Sequence, residues 1–188
     1  MTVPLASAPP AWTNEVLRFW FGELTPAEWF AKSDDIDRRI RDQFAGLYDN
    51  LVRVPPEGGL SPERMLAAIL VFDQFPRNMF RGTPGAFATD HLALELAKGA
   101  LRNGLDLHLT GDQRLFVYLP FEHAESLEEQ SRAVSYISKL RNERLTHYAE
   151  AHRAIIARFG RFPHRNAILG RTSTAEEIAF LDEPGSAF

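Results

Sequence analysis

Two segments of the chain place the same reactive side chains in the same order. Phe72-Asp73-Gln74-Phe75-Pro76-Arg77-Asn78 is echoed by Phe159-Gly160-Arg161-Phe162-Pro163-His164-Arg165-Asn166, and Arg81-Gly82 and Gly170-Arg171 follow in turn. Arginine's planar fork of donors suits bidentate pairing with a carboxylate or phosphate better than lysine's point charge. If the two segments converge, Arg77, Asn78, Arg81, Arg165, Asn166 and Arg171, with His164, would line a cleft for a small anionic ligand or an acidic peptide end. Glu122 and His123 add a carboxylate and an imidazole able to exchange protons near neutral pH. These two are the candidate catalytic residues of an alternative function, a cofactor-free hydrolase or lyase.

Periodicity marks further polar residues where apolar ones are expected. Asp73 shares a helical face with Leu66, Ile69 and Leu70. Asp90 falls in line with Ala86, Ala93 and Ala97. Gln130 lies with Leu127, Val134 and Ile137, and His152 lies between Tyr148 and Ile155. A buried carboxylate without a partner destabilises a fold by several kcal/mol, so Asp73 needs a cation, and Arg77 is the nearest candidate in sequence. Asp73 and Gln130 therefore join the ligand-binding candidates, while His152 reads as a core histidine with satisfied hydrogen bonds.

A purely architectural use of the same residues stays open. Arg and Asn just past a helix end commonly bond its last carbonyls, so both Phe-Pro segments read equally as helix stops. Glu125, Glu128 and Glu129 suit the positive end of the following helix dipole and read as a solvated acidic start. His91, His108 and His147 read as surface or packing residues.

Specific signatures of other chemistries do not occur. There is no Gly-rich phosphate loop, H-E-x-x-H, G-x-S-x-G or dinucleotide fingerprint, and no Glu-x-x-His pattern of di-iron bundles. No metal site or cofactor is expected. Cysteine is absent, which removes thiolate nucleophiles and cysteine-ligated zinc together.

The elements that must position these residues read as helices throughout, since apolar residues recur three and four apart from Thr13 to Leu181. Helix starts are marked at Thr25-Pro26-x-Glu28, Ser61-Pro62, Thr83-Pro84, Ser126-x-x-Glu129 and Thr174-x-x-Glu177, each a side-chain oxygen placed to satisfy an open amide. The expected helices run from about Asn14 to Phe21, briefly after Thr25, and from Ser33 through Leu51. Others span Pro62–Gln74, Pro84 to about Asn103, and Asp112 to Ala124, where Pro120 ends or kinks the helix. The last are Leu127–Leu140, Glu143–Phe159 and a short helix after Thr174. Val54 to Gly59 is a loop. Trp12, Trp20 and Trp29, with Phe19, Phe21 and Phe30, are expected core anchors. The similar Phe-Pro segments suggest one helical corner built twice, as in an old hairpin duplication.

Composition sets the outer bounds. The 188 residues are 45% hydrophobic, enough for one core. The formal charge of −4 gives no basic field for nucleic acid or anionic lipid. No apolar run approaches the ~20 residues of a membrane span, and residues 1–12 lack the pattern of a signal peptide. The expectation is a flexible lead-in over 1–12, one helical domain over 13–188 and a cytoplasmic location, with oligomeric state left open.

Phe72 to Asn78 with Arg81-Gly82-Thr83, P-F-E-H-A-E-S-L-E-E-Q from Pro120 to Gln130, and F-G-R-F-P-H-R-N-A-I-L-G-R from Phe159 to Arg171 resemble the signatures of a bacterial domain-of-unknown-function family, number 924. The resemblance extends from Trp20-Phe21-Gly22 to Phe188. It implies an all-α fold of stacked antiparallel hairpins, a superhelix like that of tetratricopeptide proteins, and implies no activity. The W-x-x-L-G-x-x-Y consensus of true tetratricopeptide repeats is not visible in the chain.

Overall fold

In the computed structural model, which describes residues 10–57, 59–183 and 185–186, side-chain caps open most of the long helices. Ser33 precedes α2 (Asp34–Arg53), Ser61 precedes α3 (Pro62–Met79) and Ser126 precedes α6 (Leu127–Ile137). Thr174 precedes α8 (Ala175–Leu181). In each, the hydroxyl oxygen accepts the N–H three residues on. Thr110 with Gln113 caps α5 (Gly111–Glu122), and Asn142 caps α7 (Glu143–Phe159). α1 (Ala11–Arg18) runs into a π-helical turn at Phe19–Glu23, and α4 spans Asp90–Arg102. There is no strand among the described residues.

Several expectations are corrected. Residues 1–9 of the expected lead-in, Gly58 of the loop and the terminal Phe188 lie outside the described residues, while Ala11 and Trp12 are already helical. The Thr25 box forms, with Glu28 accepting from the Thr25 N–H at 2.8 Å and from its hydroxyl at 2.7 Å, but it closes a turn and not a helix. Thr83 donates its hydroxyl to the Phe80 carbonyl instead of capping. The helix expected from Pro84 is divided into a 3-10 turn, Pro84–Phe87, and α4.

The largest correction concerns the first Phe-Pro segment. α3 does not stop at Gln74. It continues through Pro76 to Met79, so Arg77 and Asn78 lie inside its last turn. A proline within a helix leaves the carbonyl four residues back without its amide. Here that carbonyl belongs to Phe72, and the Thr89 hydroxyl donates to it at 2.7 Å. The second segment is a real corner: Gly160 ends α7 at φ 70°, and a 3-10 turn, Pro163–Arg165, follows. The two segments share residues but not conformation, so they are not one corner built twice.

α3 is the central helix. Every residue from Met65 to Pro76 is buried, and the helix packs against α1, α2, α4 and α5. α5 packs on α6 and α6 on α7, so consecutive helices stack as antiparallel hairpins. Phe19 and Trp20 are fully buried beside Phe75, and Trp12, Trp29 and Phe21 pack partly buried on the same core. Phe30, expected inside, is 59% exposed. A smaller cluster of Ile155, Ile156 and Phe162, covered by Phe159 and Phe180, supports the second corner. No helix among the described residues is long and apolar enough to cross a membrane.

Candidate functional site

The Pro84–Phe87 turn, the start of α4, the end of α5 with the residues just after it, and the Pro163–Arg165 corner meet around one open cavity of about 400 Å³. Its wall is mostly apolar, with Pro84, Phe87, Leu94, Pro120 and Leu169 prominent. His123, Arg165, Asp90, Glu125 and His91 supply the polar atoms.

Asp73 sits beneath this wall, fully buried. Its Oδ1 lies 2.7 Å from His123 Nδ1 and 3.3 Å from an Arg77 nitrogen. Its Oδ2 accepts from the Gln74 amide at 2.6 Å. Burial alone would raise the pKa of this carboxyl. The adjoining His123 and Arg77, with the hydrogen bonds from His123 and Gln74, outweigh burial and hold it below the ordinary carboxylate range. The His123 imidazole moves down as well, because burial and the Arg77 charge together exceed the pull of Asp73. Near neutral pH this gives an ionised Asp73 accepting from the Nδ1–H of a neutral His123. Nε2 is then the ring nitrogen left for an occupant of the cavity.

Arg77 reaches across to α4 and holds Asp90 with two hydrogen bonds of 2.8 and 3.0 Å. It also donates to the Asp73 carbonyl. Asp90 stands at the first turn of α4, directly after the Thr89 that repairs the proline break in α3. One short stretch thus fixes both the helix and its counter-ion.

Arg165 comes from the second corner and is 7% exposed. Its guanidinium lies between two rings, 4.6 Å from the Phe87 centroid and 4.5 Å from that of Phe162. One terminal nitrogen donates to the His123 carbonyl at 3.1 Å, and the nearest Asp90 oxygen is 3.6 Å away, too far for a hydrogen bond. Its buried Nε has no hydrogen-bond partner. Burial, and then repulsion from Arg77, pull its pKa down to about 10. Such a cation is imperfectly compensated.

The two residues expected to share acid-base work are separated. His123 lines the cavity, whereas Glu122 points behind it, buried, with Oε1 3.2 Å from His152 Nδ1. Burial, and then the negative charge of Asp73, raise Glu122 to about 8. Burial lowers His152 to about 3. Both groups are therefore uncharged near neutrality. Gln130 stays out of the cavity. Its amide donates to the Glu122 and Ala124 carbonyls, tying the backbone around His123 to α6.

Other candidates are drawn into local structure. Asn78 donates to Asp37 at 2.8 Å, and Arg81 grips the same carboxylate at 2.7 and 2.8 Å, locking the end of α3 to the start of α2. Neither reaches the cavity. Arg171 forms a two-pronged pair with Glu125 at 2.6 and 2.9 Å and donates to Asn166 at 2.9 Å, while Asn166 donates to Ser173. Glu125, exposed before α6 as expected, also accepts from the Phe162 N–H and so clamps the second corner, a role beyond that of a solvated helix start. Glu129 departs from that expectation: it is buried, with Lys98 at 3.0 Å. His164 packs its ring on Phe162, and burial lowers it to about 4. His91, expected as a surface or packing residue, stands on the cavity wall.

Sequence reasoning passed over Phe87 and Phe162, which grip Arg165, and Asp37, which occupies Arg81. Phe162 stood inside the echoed segment. Asp37 looked like any acid in a first helical turn, and Phe87 carried no signal of its own. Among the described residues no cluster of His, Asp and Glu has the arrangement to hold a metal ion.

Comparison with known proteins agrees with this architecture. The family described as "Bacterial protein of unknown function (DUF924)" matches residues 16–185. A solved structure of a protein of unknown function from Agrobacterium tumefaciens is 42% identical and superposes with a TM-score of 0.87, over 92% of this chain and 97% of that one. A curated match, human apolipoprotein B-100, is 28% identical over 52% of this chain, and the chain spans 3% of that protein's length.

Proposed function

We propose that this chain, which belongs to the bacterial DUF924 family, binds a small anionic ligand with an apolar body in the cavity under Phe87 and Leu169. The family carries no activity to transfer, so the reading rests on the site. The observation that carries it is Arg165, a buried guanidinium on the cavity wall, held between two aromatic rings, with its Nε unpartnered. Its donors match a carboxylate or phosphate. The cavity's size and largely apolar wall suit a small molecule better than an extended peptide.

Thermal unfolding against a panel of small carboxylates and phosphate esters tests this. A ligand at about 100 times its Kd adds roughly 2.7 kcal/mol, a midpoint rise of roughly 5–10 °C for a chain of this length. The rise should vanish in Arg165→Met. An equal rise in the variant would remove Arg165 from the site.

A second reading has its own observation, the Asp73–His123 pair at 2.7 Å. An imidazole oriented through Nδ1 by a buried carboxylate is the arrangement of a general base. On this reading Nε2 accepts a proton from the substrate or from a water molecule, and Arg165 stabilises the negative charge that develops. The described lining holds no Ser, Thr or Lys, and its carboxylates Asp90 and Glu125 are each gripped by an arginine, so on this reading a substrate atom or water is the nucleophile. Once a substrate is found, His123→Gln should lower turnover about 10²–10⁴-fold and leave ligand binding in place. Unchanged turnover would exclude His123 as the base.

A further inference from the structure

We infer that the cavity takes up its anionic ligand together with one proton, carried by His123 as an imidazolium whose Nε2–H donates to the ligand. The inference rests on the anion-binding reading above and specifies the chemical form of the bound pair.

The argument is a charge count over the groups that face His123. From α3 come Asp73, anionic, and Arg77, cationic. From α4 come Asp90, anionic, and His91, on the cavity wall. Glu122 on α5 and His152 on α7 form an uncharged pair behind the ring. The second corner supplies Arg165, cationic, with His164 beside it in its neutral form. Glu125 at the rim is cancelled by Arg171. With His123 neutral, two aspartates balance two arginines, and the empty cluster carries no net charge. A monoanion docked on Arg165 would leave one uncompensated negative charge against the buried Asp73 and Arg165 and the partly buried His123, which is unfavourable.

Among these groups His123 is placed to restore the balance. Its Nδ1 already meets an anion, Asp73, at 2.7 Å, and its ring lines the cavity beside the Arg165 guanidinium, which bonds its own carbonyl. A ligand anion on the opposite side of the ring would sandwich the imidazole between two negative charges, which favours the protonated form. No covalent bond changes. A solvent proton goes to Nε2, and the anion accepts the resulting N–H. Ligand affinity should therefore fall as pH rises through neutrality, by up to about tenfold for each pH unit within the window between the free and bound pKa values of His123.

Calorimetric titration of the intact protein with propionate, a carboxylate that does not itself titrate near neutrality, tests the inference. Running it in Bis-Tris and in Tris, whose ionisation enthalpies differ, counts the protons taken up. The expected result is an uptake approaching one proton per bound propionate, and binding by His123→Gln with no uptake and a flat pH dependence. Binding by the wild type without uptake overturns the inference and leaves the anion-binding reading standing. Undiminished uptake in His123→Gln overturns the assignment to His123. No propionate binding by the wild type overturns this inference together with the reading beneath it. Should the variant fold poorly, the imidazole nitrogen chemical shifts of wild-type His123 decide the matter: protonation on adding propionate supports the inference, and an unchanged neutral ring overturns it.

Discussion

Replacing Asp73 with alanine should destabilise the fold by about 3–5 kcal/mol, the range for removing one partner of a buried ion cluster. The carboxylate is fully buried and meets three side chains at once: His123, Arg77 and Gln74. Without it, Arg77 keeps Asp90 and the backbone carbonyl of residue 73 but loses a buried counter-charge, and the Gln74 amide loses the acceptor it donates to at 2.6 Å. A domain of ordinary stability holds only about 5–15 kcal/mol in total, so the variant should be visibly compromised. Urea unfolding of Asp73→Ala beside Asp73→Asn measures it. The asparagine retains an oxygen acceptor and should lose less. A loss below about 1 kcal/mol in the alanine variant would show that the surrounding cations find solvent once the carboxylate is gone.

The second large effect is a dependence of stability on pH that belongs to Glu122. Its folded-state pKa is raised from 4.5 to about 8 by burial and by Asp73, so the native protein keeps a proton that the unfolded chain releases. This contribution is full below about 4.5 and is lost as pH rises toward 8. His152 and His164 are lowered from 6.5 to about 3 and about 4, and act in the opposite sense: their contribution is full above 6.5 and lost in acid. Between 4.5 and 6.5 the two effects oppose each other. Between 6.5 and 8 the last of the histidine contribution is still being gained, a few tenths of a kcal/mol for each lowered ring, while Glu122 by itself should lower stability by about 2 kcal/mol. In denaturant unfolding, the stability of the wild type relative to Glu122→Gln should fall by that amount across the interval. Parallel curves would mean that some other group sets the alkaline limit.

The helical class and several boundaries were readable because their causes are local. Ser61, Ser126 and Thr174 cap the helices they were expected to cap, and Gly160 ends α7 where a left-handed residue was wanted. Pro76 misled because a proline's effect on a helix is local only when nothing else supplies the missing bond. Thr89, thirteen residues further on, supplies it. The site was partly readable for a related reason. Asp73 and His123 were conspicuous against their surroundings, whereas Arg81 and Arg165 could not be told apart. An arginine's stem is long enough to turn either way, and which way depends on a partner from another element. For Arg81 that partner is Asp37. For Arg165 it is a pair of rings from Phe87 and Phe162, one of them in a stretch expected to be an uninterrupted helix.

The aromatic grip on Arg165 also bears on how an occupant would be received. A free arginine side chain has about 2 kcal/mol of rotamer entropy to lose when a ligand immobilises it, and that loss weakens binding. Folding has already imposed it here, since the rings and the His123 carbonyl hold the guanidinium in one pose before anything arrives. The receptor is stiff at the place where it is most charged. Discrimination among anions should accordingly follow their fit to a fixed fork of donors, with bent or bulky head groups rejected by geometry and not accommodated by rearrangement.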